Sequence, residues 1–564
     1  MDYKRDIAAR LAAQTQLPEE ELLTYLETPP NRELGDYAFP CFKLAKHLRK
    51  APPAIAGELA AALERPSWWT KVEQVGGYLN FFLDRSAFAG DAVEAVLAQG
   101  ARYGGSDEGA GRVVCIDYSS INIAKRFHIA HLSSTAIGAA LYRIYAFLGY
   151  KPVGINHLGD WGTQFGKMIA AYKRWGSEEQ VEQGGVDALT ELYVRFHQEA
   201  EKNKALEDEG RAWFKRIEDG DEEALRIFNW FKELTMRDAM RVYDLLGVHF
   251  DSYAGESFYN DKMGRVVDEL KAKNLLVESD GAQVVTLEDV NMTPCIIVKR
   301  DGATIYATRD IAAALYRKET YDFYKCLYVV AYQQNLHFQK WFNVVRRMGY
   351  DWYKDLEHVA FGMVSFEGQA LSTRNGRIVY LEDLLDRAVQ NARKIIDEKS
   401  PGLEDKDGVA KQVGVGAVVF WNLYNNRIKD IDFYWDRVLN FEGETGPYVQ
   451  YTHARCMSVL AKAGPGAEEA PDYAALQADE AMEVVGELSR FPEVVREACQ
   501  RNEPSMVTRY TVDLAQAFNR FYYEHRILDD NRAATAARLR LARAVAQVLR
   551  NGLGLIGVEA PVRM

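Results

Sequence analysis

The sequence predicts an α/β protein, with a central parallel sheet, a small α/β domain before it and an all-helical domain after it. Three observations carry this. A strand, a helix and a second strand follow one another within about 45 residues, which is the βαβ pattern of a Rossmann-like sheet. The first 106 residues mix helical periodicity with strand-like apolar runs. From residue 401 onward only helical patterns appear. A chain of 564 residues has room for about three to four domains. With 48% hydrophobic and 27% charged residues, it belongs with folded rather than disordered chains.

The elements follow in order. Residues 1–106 hold the aromatic loop Asn31 to Pro40 and a second loop, Gly76 to Phe81, leading into strand-like Phe81-Phe82-Leu83; Gly and Pro break the helical pattern at these points. Val113-Val114-Cys115-Ile116-Asp117 is apolar and β-branched, as a buried parallel strand requires. Ile137, Leu141, Ile144 and Leu148 then recur at helical spacing until Gly149. Val153-Gly154-Ile155-Asn156 resumes as a strand. Residues 172–255 read as a charged helical insertion whose buried faces are marked by Trp213, Phe214, Phe228, Trp230 and Phe231. Cys295 to Val298 and Leu327 to Val330 restore the α/β rhythm, and the polar stretch Glu398 to Gly408 marks the next boundary. The domains are therefore expected at 1–106, 107–400 and 401–564.

Composition also excludes several classes. The longest stretch free of Asp, Glu, Lys and Arg, Phe127 to Tyr142, has 16 residues and two histidines, short of the about 20 apolar residues of a membrane span. The start, Met1 to Asp6, lacks the basic and apolar regions of an export signal, so a cytoplasmic protein without membrane contact is expected. Six widely spaced cysteines with no C-x-x-C pair suggest buried, reduced thiols, not disulfides or a zinc ribbon. The balance of 69 basic and 81 acidic residues, −12 in all, argues against indiscriminate nucleic-acid binding and leaves a local basic surface open. Residues 501–564 are such a stretch, with arginines interleaved with aromatics. That mixture suits RNA phosphates and bases and equally suits a helical bundle with aromatic core and solvated arginines.

The segment richest in chemistry is Ser119 to His131. Two imidazoles, His128 and His131, stand three residues apart where a helix begins, and free N–H groups and the helix dipole there favour phosphate. Such donors would stabilise charge growing on an α-phosphate as pyrophosphate leaves, without a covalent nucleophile. The four letters H-x-x-H alone fit two histidines on a helix surface just as well.

In context this string resembles the HIGH signature of the class I aminoacyl-tRNA synthetases, and most closely the arginyl-tRNA synthetase family. The resemblance runs through Asn156 to Gly166, Asp301 to Asp310, Phe441 to Tyr451 and Asn551 to Gly557, covering essentially the whole chain. It implies that His128 and His131 bind ATP. It also places Asp117 and Asn122 at the head group of arginine, Tyr306 and Asp310 at its guanidinium, and Gln334 beside them; carboxylates match the guanidinium donor fork. Taken singly, Asp117 also fits a strand-end cap, and Asp310 an N-cap for a helix starting at Ile311.

The second class I signature, KMSKS, aligns with Ala370-Leu371-Ser372-Thr373-Arg374, so both its lysines are missing. Ser372 and Arg374 remain as ATP-binding catalytic candidates, and Lys125 matches a lysine that takes the second one's place in the family. Ala130 and Ser133 also depart from the family, which usually has Gly and often has Arg there.

Tyr78 and Asn80 match a family loop that touches tRNA, and residues 1–106 and 401–564 match its tRNA-binding and anticodon-binding domains. The function expected is thus activation of L-arginine by ATP with Mg2+, then transfer to tRNA(Arg), by a monomer without a protein-bound structural metal. Two other readings are a catalytically weakened paralogue acting as a tRNA-binding or regulatory protein, prompted by Ala130, Ala370 and Thr373, and a nucleotidylyltransferase, which leaves the helical C-terminal domain unexplained.

Overall fold

A computed structural model describes residues 3–29, 31–300, 302, 304–371, 378–463 and 469–564. The chain forms two compact units that do not follow chain order. One comprises 1–103, 452–491 and 513–549; the other comprises 104–451, 492–512 and 550–564.

The first unit holds a three-stranded antiparallel sheet in which Tyr78–Leu83 runs between Tyr37–Pro40 and Trp69–Val75. Gly76, at φ 59°, makes the tight hairpin that joins the last two strands. Phe39, Leu79 and Phe81 are buried, and helix Pro52–Ala62 packs on the strands Trp69–Val75 and Tyr78–Leu83. The Asp84 carboxylate accepts from the Ala87 N–H at 2.9 Å and so caps helix Arg85–Gln99.

The second unit is built on four parallel strands: β1 (Val113–Asp117), β2 (Lys151–Ile155), β3 (Lys325–Tyr328) and β4 (Leu356–His358), in the order β4-β3-β1-β2. Asp117 stands level with Ile155 on one side and Tyr328 on the other. Helix α1 (Ala130–Phe147) makes the crossover from β1 to β2, and Gly149, at φ 80°, ends it. Because β2 and β3 lie on opposite sides of β1, the strand order reverses there, and a crevice opens at the carboxyl ends of β1 and β3. The parallel sheet, the N-terminal α/β domain and the predominantly helical C-terminal part agree with the sequence reading.

The helical insertion is also present, as helices Glu178–Lys202 and Ala205–Glu218 followed by α2 (Glu222–Leu246). Phe228 and Phe231 lie in its core, while Trp213, Phe214 and Trp230 are only partly buried. Helix α3 (Tyr306–Tyr321) leads into β3, and α4 (Asn335–Arg347) joins β3 to β4. Helices α5 (Leu381–Lys399) and α6 (Lys406–Tyr424) follow. Helix α3 starts at Tyr306, which places Asp310 inside it and removes the N-cap alternative.

Two expectations change. Cys295 to Val298 is a strand, but in a separate antiparallel sheet with Val277–Ser279 and Ala282–Leu287; the short hairpin connections cannot make a parallel crossover. Beyond residue 401, Ile431–Phe433 is not helical and pairs in parallel with Val364–Phe366. All six cysteines are free and buried. No helix among the described residues is long and apolar enough to cross a membrane.

Close packing of α1 on the end of β1 depends on Gly138. A Cβ there would meet the Tyr118 ring at 2.2 Å. Gly138→Ala should therefore lower the melting temperature through an overpacking cost of about 1–3 kcal/mol; a variant melting with the wild type would mean that Tyr118 can step aside.

Candidate active site

From Asp117 the chain crosses to α1 through a turn in which three non-glycine residues have left-handed backbone: Ser119 at φ 69°, Ser120 at 48° and Ala124 at 63°. Such conformations persist only where surroundings enforce them. The Ser119 amide donates to Ser134 Oγ at 2.9 Å, and that hydroxyl donates to the Val329 carbonyl at 2.7 Å. Ser119 Oγ lies 2.9 Å from Thr135 Oγ1 and 2.8 Å from the Tyr243 phenol, which also accepts from Asn156 Nδ2 at 2.8 Å. The Ala124 amide donates to Thr235 Oγ1 at 2.9 Å. Helices α1 and α2 thus set the shape of the turn.

The turn delivers the phosphate candidates. The rings of His128 and His131 are 3.8 Å apart, and His131 Nδ1 accepts the His128 backbone N–H at 3.2 Å. With Nδ1 committed as acceptor, neutral His131 carries its proton on Nε2, a donor suited to a phosphate oxygen. Burial first, then the nearby Lys125 charge, pushes His128 down to about 4. Burial, then His128, lowers His131 to about 3. Both are therefore neutral donors at pH 7. Lys125 is exposed and has no ion-pair partner among the described residues.

Backbone pairing ties this turn to residues 379–381. The Ile129 N–H donates to the Val379 carbonyl and the Leu381 N–H to the Phe127 carbonyl, both at 2.9 Å, and His128 faces Tyr380 in an antiparallel bridge. Ser372, Thr373 and Arg374 lie outside the described residues. Ala370 is exposed at the end of the short strand Gln369–Ala370.

The amino-acid candidates surround a buried charge network. Asp117 Oδ2 pairs with Arg317 Nη2 at 2.7 Å, with side chains 8% and 1% exposed, and Ser120 Oγ donates to Asp117 Oδ1 at 3.0 Å. Burial opposes the Arg317 cation, but Asp117 and the phenols of Tyr259 and Tyr328 outweigh it and raise its pKa. His157 Nδ1 lies 3.5 Å from Arg317 Nη2. Burial, and after it the Arg317 cation, lowers the His157 pKa against the pull of Asp117, Asp310 and Asp160.

Asp310 Oδ2 is 2.6 Å from His337 Nε2. Tyr306, the first residue of α3, is 68% exposed, and Gln334, just before α4, is exposed. Asn122, also exposed, bridges to Gly159, where a Cβ would fall 2.4 Å from its Oδ1. The structure thus holds Asp117 on Arg317 and Asp310 on His337, and sets Lys125, His128 and His131 in one turn.

Tyr78 and Asn80 lie in the first unit. Tyr78 is 38% exposed and packs edge-on against Phe42, whereas Asn80 is 3% exposed within the sheet.

Sequence reasoning missed His157, Glu256, Arg317 and His337. His157 and His337 had a signal, the first inside the run Asn156 to Gly166 and the second three residues after Gln334. Glu256 and Arg317 had none. Glu256 lies 3.6 Å from Arg309. Burial, opposed by Arg309 and reinforced by Asp160 and Asp310, raises it to about 7. Among the described residues no group of three or more His, Cys, Asp or Glu is arranged to hold a metal.

A parallel sheet with its switch point at β1 and a histidine pair at the start of the crossover helix fit a class I tRNA synthetase, and comparison with known proteins settles that class. Residues 92–435 match the catalytic-domain model of the class I (R) tRNA synthetases, 1–83 the arginyl-tRNA synthetase N-terminal domain, and 449–564 the DALR anticodon-binding domain. The chain is 54% identical to the arginine–tRNA ligase of Alkaliphilus metalliredigens and 53% identical to that of Clostridioides difficile, each over the full length of both chains. The arginyl-tRNA synthetase of Thermus thermophilus superposes with a TM-score of 0.84 at 27% identity, with both chains fully covered. The chain belongs to the arginyl-tRNA synthetases.

The histidines supply a direct check. Followed by NMR of the folded protein, His128 and His131 should remain neutral at pH 5.5, near an ordinary histidine's protonated range. Their folded values lie below the unfolded one, so the pair should cost stability as pH falls from about 6.5 toward 4, where unfolded imidazoles take up protons. A midpoint near 6.5 for either ring would overturn the neutral-donor assignment.

Proposed function

We infer that this chain ligates arginine to tRNA in two steps. The arginine carboxylate attacks the α-phosphorus of ATP, forming arginyl-adenylate and releasing pyrophosphate. A terminal ribose hydroxyl of tRNA(Arg) then attacks the activated carbonyl and AMP leaves. The observation that carries this reading is the pair of neutral imidazoles set beside Lys125, in a turn beginning at a strand end where acidic side chains gather. Charge that accumulates on the phosphates meets Nε2–H donors and the Lys125 ammonium, which suits in-line displacement. Ser372 and Arg374 complete the phosphate set in this reading, and ATP would enter as its Mg2+ complex.

On the amino-acid side, Asp310 meets the guanidinium, oriented by His337, with Tyr306 and Gln334 beside it. Asp117, braced by Arg317, and Asn122 address the head group. Glu256 adds a second carboxylate, and its electrostatic coupling to Asp310 is what a cation would relieve. Ser133 does not leave a gap where the family often has Arg, since it is buried and accepts from Asn422 Nδ2 at 2.9 Å.

For tRNA, Tyr78 offers an exposed ring for base stacking, Asn80 backs it in the same strand, and 401–564 take the anticodon region. The reading includes a monomer acting in the cytoplasm.

Pyrophosphate exchange with a panel of amino acids and total tRNA tests the function. Exchange with arginine alone is expected; none with any amino acid would overturn it. The Glu256 contact has its own signature. Only ionised Glu256 attracts the guanidinium, so the KM for arginine should rise as pH falls below about 7, approaching tenfold per unit, and Glu256→Gln should flatten this limb. A wild-type KM constant from pH 8 to 6 would remove Glu256 from the pocket.

A further inference from the structure

We propose that Arg126 is a positioning residue for adenylate formation, holding the turn that carries Lys125 and His128 by joining it to two other elements. The proposal rests on the roles given above to those two residues. The Arg126 guanidinium lies 3.9 Å over the Tyr380 ring. Its Nη2 meets Asp383 Oδ1 at 3.0 Å, in the first turn of α5, and its Nε lies 3.4 Å from Asp187 Oδ1 in helix Glu178–Lys202. The arginine side chain is only 17% exposed, although its carboxylate partners are 61% and 62% exposed.

An isolated exposed ion pair contributes little. Here a planar cation stacks on one element and reaches carboxylates on two, an arrangement that an ammonium cannot reproduce. Its backbone neighbours are already paired with residues 379–381: Phe127 and Ile129 exchange hydrogen bonds with Leu381 and Val379. The side chain therefore adds the helical insertion, through Asp187, to a junction the backbone has begun. Asp187 stands two residues past Gly185, where the helix is broken at φ 54° and ψ −134°, so the carboxylate is presented from the start of a new helical segment. Lys125 has no ion pair of its own among the described residues, and its direction depends on how the residues beside it are held. None of its partners is a residue given a substrate role above, so Arg126 acts through its neighbours.

Single-turnover adenylate formation, at saturating arginine, ATP and tRNA, tests this. Arg126→Ala should slow the step by about ten- to a hundredfold, the scale for a small misplacement of reacting groups. The KM for arginine should stay within twofold and the melting temperature should hold. Arg126→Lys should recover only part of the rate. Lys125→Ala should cost much less in the Arg126→Ala background than in the wild type, because contacting groups couple. Should Arg126→Ala prove unstable, Asp383→Asn, at an exposed position, must lower the rate in the same direction. An Arg126→Ala rate within twofold of wild type, or fully multiplicative effects of the two substitutions, would overturn the proposal. If Lys125→Ala alone is silent, the Lys125 assignment fails, and Arg126 is judged by its own rate effect with arginine KM unchanged.

Discussion

Between Asp117 and Ala130 the backbone must pass from a strand to a helix while Ser119, Ser120 and Ala124 hold left-handed conformations, each costing roughly 1–3 kcal/mol for a residue with a side chain. The groups that offset this cost are hydroxyls on α1 and α2 and one backbone carbonyl beyond β3. Ser134 and Thr135 reach the turn from the helix it leads into; Thr235 and Tyr243 reach it from the insertion more than 100 residues later in the chain. The conformation that sets the histidine pair is therefore a tertiary property, and α2 is part of the scaffold of the site.

Charge is distributed across the site with opposite logic at its two sides. On the proposed phosphate side burial keeps two imidazoles neutral, so in that role they would donate without bringing a full cation into a partly dry turn, while Lys125 stands exposed beside them. On the proposed amino-acid side the carboxylates are not all alike. Asp117 is compensated by Arg317 within the fold, whereas Asp310 has a histidine partner and Glu256 an arginine at 3.6 Å and the Trp161 backbone N–H, which together do not offset its burial. A buried acid without full compensation is held at a cost that an arriving guanidinium can reduce.

Much of this was legible in the sequence. The β-branched run 113–117, the helical period from Ile137 to Leu148 and the stop at Gly149 gave the βαβ unit because local pattern and tertiary role agree there. The antiparallel strand at Cys295 and the short strand at Ile431 were misread because pairing partner, not local composition, decides them. Among site residues, the histidine pair was visible as spacing. Arg317 and Glu256 were not, since a lone charge on a helix or in a loop reads as solvated until the fold shows it buried. Asp310 as a helix cap failed for a geometric reason: α3 begins one turn earlier, at Tyr306.

The division of the chain between the two units bears on what its segments hold together. Residues 550–564 belong to the same unit as the parallel sheet, and Met564 packs against the apolar cluster of Ile396 and Val413 formed by α5 and α6. Helix α5 starts at Leu381, the residue whose amide holds the Phe127 carbonyl beside the histidines. Without residues 550–564 the strands of the parallel sheet would all be present while the far end of α5 lacks part of its packing. A chain without these residues is left with exposed apolar surface on α5 and α6, the kind of surface by which defective chains are sorted for degradation.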